Sequence, residues 1–381
     1  MKMVRSFLPV GQGAFYCEQF KNNSLHGETI NIVYDCGSST DVELVKKQIR
    51  ATFNKNEPIQ AVFISHLHDD HINGLDFLLE YCDVKNIVFP FTSNEEKTIL
   101  LLYNLVNEIN QESFSFSFIK NPITAIESKV QDKQLPRLLQ IIPQEFQGNL
   151  NIEDSYDTIR SGIDLSHYIF DNKLLCNCWL YIPFNFQHKN KYERLMKEIN
   201  LIFGNSFNEK LEIEELWRTS TTETKNKIKK AYESLPGSLN TNSMTLYSGT
   251  SKYSGVQFVL CNHSRSYPCC CCDFYYKNVG CLYTGDYDAG KLTNFEELRK
   301  KYIKYWKNIG CIQIPHHGSK NNYNNHFSKI DAYFVISAGK NNKYRHPHSY
   351  VMKDLLLNDH YPFIVTEEIG SAVYLIVDID T

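Results

Sequence analysis

Short apolar runs alternate with amphipathic segments over the first part of the chain. Runs rich in β-branched and aromatic residues predict strands, and apolar positions three and four residues apart predict helices. The predicted strands cover residues 3–8, 14–20, 30–34, 61–65 and 86–90. The predicted helices cover residues 41–54 and 74–82. This alternation of strands and helices is typical of an α/β layered domain.

The pattern changes after residue 92 and returns to strands from residue 240. In the middle stretch, helical spacing covers residues 100–110, 192–203 and 208–235, and a strand is predicted at 176–183. Strands are predicted again at residues 243–248, 256–261, 280–284, 311–314, 332–337, 363–366 and 372–377, with helices at 294–308 and 349–359. We therefore predict one domain formed by residues 1–92 and 240–381. Residues 93–239 are expected to be an insertion, in part a helical lid or accessory layer.

Composition narrows the possible functions only slightly. The net charge of −3 on 381 residues gives no general basic signature for nucleic acid, although a local basic groove remains compatible with it. No apolar stretch approaches the roughly 18 residues of a membrane span, and no signal peptide is recognised, so we expect a soluble cytoplasmic protein. The 12 cysteines have irregular spacing and are expected to be reduced thiols. For the run Cys269-Cys270-Cys271-Cys272, a structural zinc site and a thiol-rich loop both stay open.

The densest group of chemically active residues follows the strand predicted at residues 61–65. This cluster reads His66-Leu67-His68-Asp69-Asp70-His71. Alternate residues of an extended segment point the same way, so His66 and His68 can share one metal ion. Asp70 and His71 come after the turn and can serve a second ion. Imidazole and carboxylate ligands suit zinc, manganese or iron.

Further candidate ligands follow apolar strands later in the chain. Asp286 ends the tripeptide Thr284-Gly285-Asp286, where a carboxylate on a turn can reach in and bridge two metals. His316 and His317 are adjacent, so one of them can bind metal while the other contacts substrate. His346 follows the strand predicted at residues 332–337. The sequence therefore predicts a two-metal site assembled from segments far apart in the chain.

The order of these motifs resembles the metallo-β-lactamase superfamily. The cluster from His66 to His71 matches the HxHxDH signature, with Asp35-Cys36-Gly37 upstream and Thr284-Gly285-Asp286 downstream. Other motifs are similar to the hydrolase domain of ComEC-type competence proteins: Val10-Gly11-Gln12-Gly13, Asn240-Thr241-Asn242-Ser243, His316-His317-Gly318-Ser319 and Ser337-Ala338-Gly339, the last followed by His346-Pro347. The resemblance covers residues 1–90 and 240–380. It implies a four-layer αβ/βα sandwich with the metals at one edge of its two sheets.

The chain departs from the superfamily pattern at one ligand position. Many members have a lone histidine between the first cluster and the bridging aspartate, and here Asn240-Thr241-Asn242-Ser243 holds that place. We hypothesise that His317 supplies the missing ligand of the first site and that His346 completes the second. The predicted metal ligands are then His66, His68, Asp70, His71, Asp286, His317 and His346. Two divalent ions are expected, with zinc as the first choice and manganese as the alternative.

The resemblance to the competence-type branch and the basic residues near the paired histidines both favour hydrolysis of phosphodiesters. We predict a phosphodiesterase or nuclease that acts on DNA, RNA or a nucleotide through a metal-activated water. The predicted catalytic residues are Asp70, His316 and His346, and the predicted substrate-binding residues are Asn242, Ser319 and Lys320. Lys340, Lys343 and Arg345 lie in a loop that could bind phosphates or simply be solvated.

Two other functions stay open. A lactone, thioester or small phosphoester hydrolase on the same fold would be favoured by a narrow pocket capped by the insertion. A metal-binding interaction module, with residues 93–239 docking a protein partner, would be favoured by a tight complex without turnover. The complete ligand set argues against loss of activity. The sequence does not predict the oligomeric state.

Overall fold

Two large β-sheets organise the chain in the computed structural model, which describes residues 2–21, 29–130, 133–146, 156–171, 173–186, 190–203, 221–233, 243–250, 255–259 and 277–379. Within these ranges the strands are β1 (Lys2–Phe7), β2 (Gly13–Lys21), β3 (Thr29–Ser38), β4 (Pro58–Ile59), β5 (Ala61–Phe63), β6 (Asp83–Val84), β7 (Asn86–Pro90), β8 (Arg137–Ile142), β9 (Asp157–Arg160), β10 (Leu180–Phe184), β11 (Thr245–Gly249), β12 (Gly255–Val259), β13 (Gly280–Tyr283), β14 (Ile309–Gln313), β15 (Tyr333–Ser337), β16 (Phe363–Val365) and β17 (Val373–Ile379). The two short strands β4 and β6 pair with each other in a separate ribbon.

The helices flank these sheets. They are α1 (Val42–Thr52), α2 (Asp69–Ile72), α3 (Leu75–Tyr81), α4 (Asn94–Val106), α5 (Phe114–Lys120), α6 (Pro122–Val130), α7 (Ser166–Ile169), α8 (Lys173–Cys178), α9 (Asn190–Phe203), α10 (Thr222–Glu233), α11 (Leu292–Lys301) and α12 (Ser349–Leu357). Every helix among the described residues is too short or too polar to span a lipid bilayer.

Both sheets combine antiparallel and parallel pairing. The larger sheet has the order β12-β17-β1-β2-β3-β5-β7-β8-β9, and the smaller has the order β10-β11-β13-β14-β15-β16. The strands from β3 to β9 in the first sheet and from β13 to β16 in the second pair in parallel. Parallel strands end at a common edge of their sheet, where loops can gather side chains from distant parts of the sequence.

Three hydrophobic cores define four layers. The first core lies between the sheets and joins Phe7 and Phe63 of the larger sheet to Leu246 and Tyr283 of the smaller. The second packs the outer face of the larger sheet against α1, α3, α5 and α6. The third packs the outer face of the smaller sheet against α11 and α12. The predicted α/β class and its αβ/βα layering are thereby confirmed.

Residues 93–239 contribute both to the sandwich and to a separate layer. β8 and β9 extend the larger sheet, and β10 forms an edge of the smaller one. A fourth hydrophobic cluster joins α4, α9 and α10 through residues such as Leu102, Leu195 and Ile228. The strand predicted at residues 176–183 is wrong at its start, because residues up to Cys178 complete α8 and the strand begins at Leu180. Among the described residues of this segment, α4, α9 and α10 therefore form the accessory layer, whereas α5 and α6 pack against the larger sheet.

Candidate metal centre

The predicted ligands lie at the edge where parallel strands of both sheets end. The cluster from His66 to His71 follows β5, and Asp286 follows β13. His317 follows β14, and His346 follows β15. Because the two sheets face each other, loops from both of them meet at this edge. Residues separated by as many as 280 positions in sequence thus become neighbours.

Asp35 anchors the first loop. One of its carboxylate oxygens accepts a hydrogen bond from the Ser65 backbone nitrogen at 2.7 Å, and the other accepts one from Ser65 Oγ at 2.7 Å. The same second oxygen lies 2.8 Å from His71 Nδ1. A histidine that donates from Nδ1 presents the lone pair of Nε2 on its opposite side. Asp35 therefore fixes both the path of the loop and the orientation of the His71 ring.

Glycines allow the loops of the site to pack closely against each other. A Cβ atom on Gly37 would lie 2.6 Å from the backbone carbon of Asp70, and one on Gly285 would lie 2.6 Å from Ser65 Cβ. Gly285 also has φ +53°, in the left-handed region that favours glycine. These two contacts give a physical reason for the glycines in the Asp-Cys-Gly and Thr-Gly-Asp motifs.

Ser243 links the histidine cluster to the aspartate of the second sheet. Its Oγ lies 3.2 Å from His66 Nδ1 and accepts a hydrogen bond from the Asp286 backbone nitrogen at 2.9 Å. Ser65 Oγ lies 2.9 Å from the same His66 nitrogen. The His66 ring is therefore held from its Nδ1 side, as the His71 ring is.

The paired histidines after β14 are anchored in the same way. His317 Nδ1 lies 2.8 Å from the Ser337 carbonyl oxygen, to which it donates. His316 Nδ1 lies 2.9 Å from Asn322 Oδ1. Both residues have positive φ, 49° for His316 and 55° for His317. Such backbone geometry costs on the order of 1–3 kcal/mol per residue and is found where function demands it.

With their Nδ1 atoms held, four histidines direct Nε2 toward two carboxylates. His66 and His316 place Nε2 3.6 Å from Asp286 Oδ2. His71 places Nε2 3.4 Å from Asp286 Oδ1, and His317 places Nε2 3.4 Å from Asp70 Oδ2. Two ligand atoms that each lie about 2.1 Å from one tetrahedral zinc are about 3.4 Å apart. The observed spacings of 3.4–3.6 Å are compatible with atoms that share a metal ion.

The donors fall into three overlapping groups. These are His66, His68 and Asp70; His66, His71 and Asp286; and Asp70, His71 and His317, with the donor atoms of each group within 4.8 Å of one another. Nε2 of His66, His71 and His317 is buried and has no hydrogen-bond partner within the described ranges. A buried imidazole nitrogen without a partner is costly, and a divalent cation would satisfy these atoms. The residues present therefore fit a metal centre.

The pKa values of the site support the same interpretation. Burial lowers the pKa of His66 well below its usual value and lowers that of His68 to about 4, so both are neutral at pH 7. Burial opposes protonation of His71 as well, but Asp35, Asp286 and Asp70 outweigh it and raise the pKa of His71. The metal-free site therefore carries positive charge on its imidazoles beside two carboxylates. A divalent cation would supply that charge instead.

Tyr103 is a site residue that the sequence did not reveal. It lies on α4, and its ring stacks on His68 with centroids 4.6 Å apart and planes 23° apart. Tyr232 of α10 packs edge-on against Tyr103 at 6.4 Å. The helical cluster of residues 93–239 thus reaches the metal centre. Nothing in the helical spacing of residues 100–110 indicates which of them faces the site.

The structure brings most of the predicted site residues together, and their roles stay predictions. His317 lies with Asp70 and His71, whereas the sequence hypothesis gave it to the first site. His346 lies outside the three donor groups of the described residues, with its ring centroid 5.6 Å from that of His316. Ser319 is buried directly after the His317 turn, and Lys320 is exposed. Asn242, the Cys269–Cys272 run and part of the segment from 204 to 242 lie outside the described residues.

A model of the metallo-β-lactamase superfamily matches residues 24–111. This segment contains β3, β5 and the whole cluster from His66 to His71. The match confirms the superfamily resemblance for this part of the chain, and the closer likeness to the ComEC-type branch stays a prediction. A search of curated proteins gave no significant match.

Solved metallo-β-lactamases resemble the chain weakly. The enzyme SMB-1 bound to 2-mercaptoethanesulfonate is 9% identical over 81% of this chain and 76% of its own, with a TM-score of 0.28. MEM-A1, a subclass B3 enzyme from a soil metagenome library, is 9% identical over 82% and 78%, with a TM-score of 0.29. MIM-1 from Novosphingobium pentaromativorans is 9% identical over 93% and 90%, with a TM-score of 0.30. Similarity at this level says nothing about substrate.

The class of protein follows from the motif and the site together. The superfamily match covers the loop that supplies most of the donors, and the donors have the chemistry and spacing of metal ligands. These observations indicate a metal-dependent hydrolase.

Proposed function

We propose that the protein is a dinuclear metal-dependent phosphodiesterase that acts on nucleic acid or nucleotides. The observation that carries the metal-dependent part is the meeting of four histidine Nε2 atoms around the carboxylates of Asp70 and Asp286. Imidazole and carboxylate are the donors that zinc prefers at catalytic sites.

We base an allocation of ligands on the contacts of Asp286 and Asp70. His316 enters it through its distance to Asp286 alone, because the three donor groups of the described residues do not include His316. His66, His68 and His316 would hold one ion together with Asp286 Oδ2. Asp70, His71 and His317 would hold the other, together with Asp286 Oδ1. In this proposal His316 takes the place of the absent third histidine, and His317 serves the opposite ion from the one expected from sequence.

Each protein group then has a chemical task. Bound divalent cations supply Lewis acidity, which lowers the pKa of water and neutralises the charge that develops on a phosphoryl oxygen. Asp286 would be shared by the two ligand sets, because it faces histidines of both. His346 lies beside His316, and chiefly burial lowers its pKa to about 4. A neutral His346 at pH 7 is suited to accepting a proton rather than donating one.

A phosphodiester substrate is supported by the charge around the site. Lys320, Lys343 and Arg345 lie in the two loops that carry His317 and His346, and none of them has a salt bridge among the described residues. Lys340, by contrast, is paired with Glu368 at 2.9 Å. Three uncompensated cations at one rim favour a polyanion even on a chain of net charge −3.

Tyr103 favours a second candidate function. Because its ring covers His68 from the helical layer, one side of the site is narrowed. A small ester such as a lactone or thioester would suit a narrowed pocket better than a long strand would. The two candidate functions differ in where the substrate binds. A phosphodiester would bind on the side of the basic residues, and a small ester would bind in the pocket that Tyr103 narrows.

The test is a substrate panel with zinc- or manganese-loaded protein. The panel contains labelled single-stranded DNA, duplex DNA, RNA, bis(p-nitrophenyl) phosphate, a lactone and a thioester. We expect cleavage of the phosphodiesters, loss of that cleavage in His66→Ala and Asp286→Ala, and full activity in His167→Ala, where the exposed histidine lies on α7. Opening of the lactone or thioester with no cleavage of nucleic acid would show that the substrate class is wrong.

A further inference from the structure

Two exposed tyrosines lie on either side of His346 in sequence, one in the loop that carries it and one at the start of α12. Tyr344 is 52% exposed, and its ring lies against His346 with centroids 5.6 Å and planes 23° apart. Tyr350, in the first turn of α12, is 42% exposed. Large aromatic side chains that are half exposed beside a site offer flat apolar faces that a ligand can cover.

Each of these tyrosines is paired with a lysine. Lys343 Nζ lies 5.0 Å from the centre of the Tyr344 ring, and Lys320 Nζ lies 5.7 Å from the centre of the Tyr350 ring. Neither ammonium group has a salt bridge among the residues that the structure describes. In each pair an ammonium group lies over the ring, and about half of the tyrosine stays exposed for a ligand to contact.

The two pairs belong to one continuous surface. The loop that carries Lys320 touches the loop that carries Tyr344, because the His348 backbone nitrogen donates to the Gly318 carbonyl at 3.0 Å. A Cβ atom on Gly318 would lie 2.8 Å from Pro347 Cβ, which shows how closely the two loops pack. Both pairs therefore lie within a few residues of this contact between the loops that carry His316 and His346.

An aromatic face with a neighbouring ammonium group complements one nucleotide unit. A base stacks on the ring, and the adjoining phosphate meets the cation. In a duplex the base faces are covered by neighbouring bases, so only an unpaired base can use such a platform. A rim with charge alone would bind any polyanion and would not distinguish bases from bare phosphodiesters.

We propose that Tyr344 and Tyr350, with Lys343 and Lys320, form a platform that binds unpaired nucleobases next to the metal centre. This inference rests on the proposed phosphodiesterase function and narrows its substrate to single-stranded nucleic acid. The two tyrosines are specificity-determining residues that hold the strand while the metal centre acts on a neighbouring phosphodiester.

The experiment compares two fluorescent 12-mers with phosphorothioate linkages, which resist hydrolysis. One carries thymine at every position and the other is abasic throughout, so the two differ in bases and share their charge. Binding to the zinc-loaded full chain is measured by fluorescence anisotropy and repeated after metal removal. Stacking adds roughly 5- to 150-fold in affinity per base, so the thymine oligomer is expected to bind at least fivefold more tightly.

Variants separate stacking from charge. The double variant Tyr344→Ala/Tyr350→Ala is expected to lose the preference for the thymine oligomer, and Tyr344→Phe/Tyr350→Phe is expected to keep it. Tyr361→Ala is the matched control, because Tyr361 is 79% exposed and lies just before β16. Equal binding of the two oligomers by wild type, no binding of either, or a preference that survives the double alanine variant would overturn the inference.

The result is distinguishable from failure of the proposed function. If the chain cleaves phosphodiesters with no preference for bases, the phosphodiesterase proposal holds and the platform is wrong. If it binds the thymine oligomer preferentially but cleaves no phosphodiester, the platform holds and the proposed reaction is wrong.

Discussion

Two buried clusters of polar side chains lie where the two sheets and their loops meet. They differ in how many of their polar atoms have hydrogen-bond partners. The inner cluster centres on Glu18, whose oxygens accept hydrogen bonds from Arg5 Nε, Tyr283, Tyr181 and Ser248 at 2.7–2.9 Å. At the metal centre, Nε2 of His66, His71 and His317 has no such partner in the described part of the chain.

The difference separates a structural cluster from a binding site. A buried charge that is paired and hydrogen-bonded within the protein holds the surrounding strands together, although it adds little net stability. A buried cluster that leaves inward-facing nitrogens without partners is stable only if something else completes it. The Glu18 cluster is nearly complete as folded, with Arg5 Nη2 its remaining unbonded donor among the described residues. The candidate metal centre, in contrast, has buried nitrogens that a bound cation would satisfy.

Asp286→Ala should have the largest effect on function. Asp286 is the carboxylate that faces His66, His71 and His316, so its loss opens both proposed ligand sets. We expect phosphodiesterase activity to fall by more than about 1,000-fold, with the far-ultraviolet circular dichroism spectrum unchanged. Activity within tenfold of wild type would remove Asp286 from the centre.

Glu18→Ala should have the largest effect on stability. It leaves the Arg5 guanidinium buried without its carboxylate, which costs about 3–5 kcal/mol in free energy of unfolding. Urea denaturation measures this cost. The variant that still folds is expected to bind metal as wild type does, because Glu18 makes no contact with the ligands. Loss of metal from a folded Glu18→Ala protein would contradict the separation of the two clusters.

Acid should weaken the metal-free protein through His68 and His346, the two histidines whose pKa burial lowers to about 4. In the folded chain burial lowers the pKa of His68 and of His346 to about 4, whereas an unfolded histidine titrates near 6.5. Between these values the unfolded chain binds more protons, so the stability present above about pH 6.5 is lost as the pH falls toward 4. Denaturation of metal-free wild type and His68→Leu at pH 7 and pH 5 should show a smaller pH effect in the variant. Identical pH effects would count against this explanation.

Asp35→Asn should weaken metal binding without abolishing it. Asp35 orients the His71 ring through Nδ1, and loss of such an outer partner costs about 10- to 100-fold in metal affinity. Asp69→Asn is the matched control, because Asp69 is bonded to Ser115 and Asn73 rather than to a histidine. Competition with a zinc-selective dye measures both affinities. An equal loss in the two variants would mean that Asp35 acts only through general charge.

Tyr103→Leu should have the smallest effect. The stacked Tyr103 ring limits the movement of His68, and an aromatic pair contributes about 0.5–1.5 kcal/mol. We expect metal affinity to fall by about two- to tenfold, while a small ester enters the site more easily. Tyr103→Phe, which keeps the ring, should behave as wild type. A hundredfold loss in Tyr103→Phe would instead indicate a direct role for the hydroxyl group.

The sequence predicted the parts of the fold and site that depend on local patterns. Strand periodicity located β5 and β7, and the dense cluster from His66 to His71 marked the centre. It could not show that β8, β9 and β10 join the sheets, because pairing depends on contacts far apart in the chain. For the same reason it missed Tyr103 and the partnership of Asp35 with His71.

The paired histidines also show that sequence spacing does not predict contacts between distant parts of the chain. His316 and His317 are adjacent, and spacing alone cannot say which direction either ring takes. Their positive φ values turn the two rings toward different carboxylates, His316 toward Asp286 and His317 toward Asp70. Gly318, the next residue, packs against Pro347 of another loop, a contact that local sequence does not reveal.

Metal binding by the histidines and aspartates at the sheet edge can be measured as the metal content of the purified chain. Wild-type protein and the double variant His66→Ala/Asp286→Ala are dialysed against zinc and analysed by mass spectrometry. Because cysteines elsewhere in the chain could bind zinc as well, the difference between the two proteins is the decisive quantity. We predict that wild type binds two more zinc ions per chain than the folded double variant. Equal metal content in the two proteins would contradict the account.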